Sequence, residues 1–294
     1  MADDLHKDAV TGIDTTGHEW DGIKELNNPL PRWWLWIFYA TIAYALVYTI
    51  LYPAWPLVQR ATGGVLGYSA RGEVAAEIER VAMQNAEVSQ QLAKADLATL
   101  EPASAAHQFG MAGGAAVFRA HCSQCHGSGA AGAVGYPNLL DDAWLWGGDL
   151  ENIEYTVRHG IRNDSDPDAR YSEMPVFGEI LEDEEIASVV DYVLSISGQD
   201  HDPALAEAGT IVFEDNCSAC HGETGEGDRW QGAPNLTDAI WLYGGDREAL
   251  TETVVYSRFG VMPNWGARLN DAEIKAVTLY VHGLGGGEAT PLDE

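Results

Sequence analysis

At 294 residues and 46% hydrophobic content, the chain has room for about two domain-sized cores and is not a disordered polymer. Its 45 acidic against 16 basic residues give a formal net charge of −29, which excludes a nucleic-acid binder, because phosphate recognition needs a basic patch. Such acidity either steers a cationic partner or only keeps the protein soluble.

A segment of residues 1–32 leads into Trp33–Tyr52, WWLWIFYATIAYALVYTILY, which carries no charge. At about 1.5 Å per residue this stretch reaches about 30 Å, the thickness of a bilayer core. Trp33, Trp34 and Trp36 crowd one end and Tyr48, Tyr52 and Trp55 the other, as interfacial aromatic belts do. Pro53 and Pro56 stop the helix, and a transmembrane span over 33–52 is expected. Lys24 and Arg32 before it balance Arg60 and Arg71 after it, so charge does not orient it. Residues 53–106 read as a connector. Within it, Val74, Ile78, Val81, Val88 and Leu92 recur at helical spacing, predicting an amphipathic helix from Arg71 to Leu100, ended near Pro102.

The remainder is a duplication. GAAVFRAHCSQCHG from Gly114 matches GTIVFEDNCSACHG from Gly209. Pro137-Asn138-Leu139 matches Pro234-Asn235-Leu236, WLWGGD from Trp144 matches WLYGGD from Trp241, and Met174-Pro175 matches Met262-Pro263. DEEIASVVDYVLSI then matches DAEIKAVTLYVHGL. The offset is 95 residues at the cysteines, 97 at the tryptophans and 88 at the Met-Pro pairs. The first copy therefore carries an insertion of nine residues, in the polar stretch Arg162–Arg170, expected in a surface loop. The copies span 107–198 and 203–285, joined near Gly198–Pro203 and followed by a tail of 286–294. In each, a short helix carrying Gly114 and Phe118 (Gly209 and Phe213) on one face runs into the cysteines. A last helix starts near Glu182 or Asn270, the latter with capping-box spacing to Glu273, and contains Tyr192 or Tyr280. No segment alternates as a strand, so the expected fold is mainly α.

All four cysteines fall in the repeated units CSQCH and CSACH. Two disulfides, a redox dithiol or a zinc site could use cysteines too. Chains of this size build cores without disulfides, however, and no second CxxC pairs within either copy to complete a zinc site. Two cysteines three apart on a helical turn present both sulfurs on one side, for the two vinyl groups of one haem, and the adjacent histidine lies under the iron. Cys122, Cys125, Cys217 and Cys220 are thus expected to attach two haem c groups, with His126 and His221 as proximal ligands. Met174 and Met262 are the methionines at matched positions downstream, each followed by a proline that restrains the loop. They are the expected distal ligands, and spacing leaves open whether each serves its own copy's iron or its neighbour's. His/Met ligation fills both axial sites, which favours electron transfer over catalysis. No catalytic residue is expected. The remaining histidines (His6, His18, His107, His121, His159, His201 and His282) are read as ordinary surface or hydrogen-bonded residues, and Trp144 and Trp241 as packing beside the haems. Because bacteria attach haem c outside the cytoplasmic membrane, the N-terminus is expected in the cytoplasm and the repeats in the periplasm.

The pattern G-x-x-x-F-x-x-x-C-x-x-C-H with a later Met-Pro resembles class I cytochrome c. HEWDGIKELNNPLPRWW (His18–Trp34), directly before a single membrane helix, resembles the dihaem CcoP/FixP subunits of cbb3-type cytochrome c oxidases. That resemblance implies one transmembrane helix followed by two tandem class I cytochrome c domains in the inner membrane. It implies acceptance of electrons from a donor cytochrome c and transfer through a monohaem cytochrome subunit to a catalytic haem–copper subunit that reduces oxygen. It also implies that the polar turn before the helix docks on the oxidase core. The competing expectations are a free-standing membrane-anchored dihaem cytochrome shuttling between complexes, and a dihaem peroxidase, which the two matched Met-Pro pairs oppose.

Overall fold

The computed structural model describes residues 7–289. Met1, His6 and the last five residues of the tail lie outside it. The chain forms two compact units, one through Met83 and one from Gln84 onward.

The first unit begins with an antiparallel hairpin, β1 (Thr15–Trp20) and β2 (Ile23–Leu26), which corrects the expectation of no strands. Its signal is the dipeptide Asp21-Gly22. Both residues take positive φ (52° and 83°), as a two-residue turn with the right twist for a hairpin requires. Glu19 and Lys24 face each other across the strands at 3.4 Å. Helix α1 (Arg32–Leu51) follows, within one residue of the expected span; its mean hydropathy is 1.7 and none of its residues is buried. Helix α2 (Ala70–Lys94) runs from the first unit into the second and stops at Lys94 rather than at Leu100. Asp96 there receives the Ala98 N–H and turns the chain.

In the second unit, α3 (Ala105–Val117) is capped by Ser104 and passes through a π-helical turn, Phe118–Cys122, into α4 (Ser123–His126). Helix α5 (Leu150–His159) is capped by Asp149 and α6 (Asp183–Ile196) by a Glu182–Glu185 capping box. In the second copy, α7 (Pro203–Asn216) leads into α8 (Ser218–His221), then α9 (Arg247–Tyr256), then α10 (Asp271–His282) with the Asn270–Glu273 capping box. The start of each last helix thus falls where its cap residues put it.

The packing crosses the boundary between the copies. Helix α3 of the first copy packs on α10 of the second, and α7 of the second packs on α6 of the first. Helix α5 joins α10, and α9 joins α6. Each crossing is a close approach of backbones. A Cβ on Gly114 would stand 2.0 Å from the Ala276 carbonyl oxygen, and one on Gly209 would stand 2.1 Å from that of Ser188. Glycine at these positions lets the helices touch. Aromatics lock the same crossings: Phe118 against Tyr280 with centroids 5.5 Å apart, and Phe213 against Tyr192 at 4.9 Å. Residues 198–203, the joint between the sequence copies, therefore form a tight loop inside one packed half, closed by the Asp202 N–H on the Asp191 carboxylate at 2.7 Å. The repeats order the sequence as 107–198 and 203–285, but each packed half takes its last helix from the other copy.

The insertion closes on itself through the Arg162 N–H to the Arg170 carbonyl at 2.7 Å. Its middle is exposed as expected, whereas its two end arginines turn inward.

Candidate haem sites

The first CxxCH opens onto a cavity of ≈ 430 Å³. Cys122, Cys125 and His126 form one wall. Met262 lies on its lining with Trp265 and with Val277 and Val281 of α10, while Ile153 and Val157 of α5 close another side. The methionine brought to His126 is thus the second copy's Met262. Its backbone is fixed to the end of α5 by two hydrogen bonds with Ile161, each 3.0 Å. Among the described residues, Phe118, Ile274 and Val277, each essentially inaccessible, form the floor of this half.

The second CxxCH sits in a matching core with the last helix taken from the other copy. Cys217 packs into a core of Phe213, Leu236, Trp241, Leu250 and the α6 residues Val189, Val190 and Val193. Met174, of the first copy, has its carbonyl held by the Ser257 hydroxyl at the end of α9. Ser257 ends α9 in the left-handed conformation (φ +54°, ψ +62°), and Gly160 at the matching end of α5 also has positive φ (+77°) but an extended ψ of −171°.

Both histidines are prepared in the same way. His126 Nδ1 lies 3.1 Å from the Pro137 carbonyl oxygen and His221 Nδ1 lies 3.1 Å from that of Pro234. A carbonyl only accepts, so Nδ1 carries the proton and Nε2 keeps its lone pair for a metal. Burial lowers the pKa of both rings, against a smaller raising effect of those carbonyls, which favours the neutral, ligating form. Burial likewise pushes the Cys122 and Cys217 thiols up to about 11. Reactive redox thiols have depressed pKa values, so this environment suits sulfurs committed to covalent bonds. An apolar crevice with two sulfurs, an imidazole lone pair and a facing thioether fits a covalent haem with two axial ligands.

The two halves meet in a seam that the sequence motifs did not announce. Tyr243 of the second copy packs on Gly135 of the first, and Trp146 of the first packs on Gly232 of the second. The Gly135 N–H donates to the Leu242 carbonyl at 2.8 Å. The signal was present in the repeat, since Trp146 and Tyr243 are matched positions, as are Gly135 and Gly232. Trp144 and Trp241 pack in the two cores, with Trp144 Nε1 donating to Gly286 O at 2.6 Å. His121 packs at a tilt against Trp265, His159 faces Asp166 at 3.2 Å, and His201 and His282 meet the backbone carbonyls of Gln199 and Glu288.

Comparison with known proteins agrees along the length of the chain. Residues 12–59 match the family described as the N-terminal domain of cytochrome oxidase-cbb3, FixP; residues 111–197 match cytochrome c; residues 204–281 match cytochrome c oxidase, cbb3-type, subunit III. The chain is 62% identical over 276 residues to the cbb3-type cytochrome c oxidase subunit CcoP of Cereibacter sphaeroides, covering 93% of this chain and 95% of that one. It is 50% identical over 287 residues to CcoP of Rhodobacter capsulatus (94% and 97% covered), and 48% identical over 282 residues to FixPc of Rhizobium leguminosarum bv. viciae (96% and 98% covered). The chain therefore belongs to the CcoP/FixP family, the dihaem electron-transfer subunits of cbb3-type cytochrome c oxidases, and carries two covalent haem c groups.

Proposed function

We propose that Cys122 and Cys125 bind the first haem, with His126 and Met262 as its axial ligands, and that Cys217 and Cys220 bind the second, with His221 and Met174. The observation that carries this reading is Met262 on the wall of the cavity that opens from His126. The haem supplies reversible one-electron storage at iron. The chain's own residues do the rest. Pro137 and Pro234 orient the imidazoles, Ile161 and Ser257 hold the backbones of the methionines, and the apolar walls keep water from the iron. With histidine and methionine both bound, each iron would have no open site for oxygen or peroxide, which suits a chain that transfers electrons rather than one that reduces oxygen itself.

In the complex, the chain accepts electrons from a donor cytochrome c and relays them through the monohaem cytochrome subunit to the catalytic haem–copper subunit. Helix α1 spans the inner membrane with the N-terminus in the cytoplasm and both haem-bearing halves in the periplasm; its length and mean hydropathy support the span. The net charge of −29 supports a cationic donor.

The test is Met262→His in the full chain. Replacing thioether by imidazole lowers the potential of one haem while both stay attached. In a Cys217→Ala/Cys220→Ala background, the haem that remains must be the one that shifts. If its potential is unmoved there, the assignment of Met262 to the first haem is wrong. Gentle solubilisation tests the assembly: this chain must co-migrate with a haem–copper subunit, and migration alone would refute the partnership.

A further inference from the structure

The first crevice contains a group that the ligand set leaves unused. Arg162 is the single formally charged side chain among the described residues lining the cavity, and no carboxylate is among them. Its Nε donates to Gly260 O and its Nη1 to Ser172 O, both at 2.8 Å, while Nη2 has no acceptor among the described residues. No carboxylate lies within ion-pair distance of it there; the nearby Glu173 accepts the Tyr171 hydroxyl at the surface. Burial pushes the Arg162 pKa down, but a guanidinium does not give up its charge, and half-burying it unpaired is costly. Tyr243 lines the same wall from the second copy, close enough to interact electrostatically with Arg162, and its hydroxyl also has no partner among the described residues.

Two spare donors, one cationic, in an otherwise apolar crevice call for an anion that arrives with the occupant. We propose that Arg162 and Tyr243 form a clamp, built from both copies, for a propionate carboxylate of the haem in the first crevice, and that this clamp makes that haem the higher-potential one of the pair. The proposal rests on the ligand assignment above. The second copy lacks the cation. At the step of 97 residues, Phe259 stands where Arg162 stands, and its ring lies 5.5 Å from that guanidinium. The neighbouring Arg258 is already committed to Thr253, Glu252 and the carbonyls of Ala249 and Tyr243. A fixed positive charge on a propionate offsets its negative charge and favours the reduced iron, so charge at Arg162 raises the potential of its own haem.

Redox titration of the full chain with both haems attached tests this. Arg162→Leu lowers the midpoint of one component by roughly a tenfold loss of bias toward the reduced form, or 59 mV for one electron. That component is the one displaced by Met262→His. Tyr243→Phe lowers the same component by less, and Arg162→Lys restores most of the loss. Redox infrared difference spectra show the propionate carboxylate bands altered in Arg162→Leu and in Tyr243→Phe. If Arg162→Leu loses a haem, Tyr243→Phe and Arg162→Lys decide. Unchanged midpoints and carboxylate bands in the variants that retain both haems overturn the clamp, as does a shift confined to the other component. A Met262→His variant that moves neither component overturns the ligand assignment and the clamp with it, whereas a Met262 effect without an Arg162 or Tyr243 effect removes the clamp alone.

Discussion

On the face of α6 that meets α9, Asp191 is fully buried and its carboxylate takes both Nη groups of Arg247. At the matching place on α10 stands Leu279, in an apolar cluster with Leu92, Leu97, Ala106 and Ala276 and with Leu150, the match of Arg247, packed against it. One pair of positions is thus filled by an ion pair in the second half and by two leucines in the first. The difference follows from what covers them. The end of α2 and the turn after it lay Leu92 and Leu97 over the first half. In the second half, water reaches Arg247, whose side chain is 51% exposed. A buried charge is tolerable where its partner stays wet, and an apolar contact works where another element excludes water.

The sharpest way to break this comparison is to end the chain after residue 202. The first half then lacks α10 and Met262. The first haem stays covalently attached but binds CO when reduced. A fragment that excludes CO would mean that Met174 ligates that haem and that the copies are independent domains.

Acid separates the halves next. Hydrogen bonds from Arg247, ahead of an opposing burial effect, hold the Asp191 carboxyl below its ordinary value. A depressed carboxyl contributes stability that is complete above its unfolded pKa of about 3.9 and is lost as pH falls through the folded value. Below about pH 4 the second half therefore loses this ion pair, seen as a drop in its stability to denaturant. Asp191→Asn costs about 1–3 kcal/mol in denaturant unfolding and removes that part of the acid sensitivity.

Gly114→Ala and Gly209→Ala each force a Cβ into a facing carbonyl, at an expected cost of about 1–3 kcal/mol. Each acts on the half that holds its own CxxCH, read from which haem loses its methionine first on heating. The smallest effect belongs to the surface. Arg229→Ala breaks an exposed pair with Glu288, which also caps the Gly148 N–H, and changes stability by less than about 1 kcal/mol.

Much of the site was legible because its signals are local. CxxCH, the prolines that accept from the histidines, the Met-Pro pairs and the Asn270–Glu273 cap each lie within a few residues or recur in register. The hairpin was missed: its one local signal is the turn dipeptide Asp21-Gly22, and its strands are too short to show alternation. The exchange of helices was not legible either. DEEIASVVDYVLSI and DAEIKAVTLYVHGL present the same apolar face and the same tyrosine, so either suits either glycine-bearing helix. Pairing between such equals depends on chain connectivity and on particular neighbours, such as Leu279 under Leu92. Arg162 was hidden for a related reason: it sits in the polar insertion, and polarity alone cannot tell a loop that faces water from one whose ends face a crevice.

The exchanged helices also set an order of assembly. The α6–α7 crossing closes a hairpin of a few residues, whereas α3–α10 brings together segments separated by about 150 residues. On an unfolded chain the longer closure costs about 3 kcal/mol more. Contacts of such separation form late. The second half is therefore expected to form its nucleus first. On the ligand assignment proposed above, the first haem would then wait longest for its methionine, so faults in α10 are expected to appear at the first haem rather than at the second.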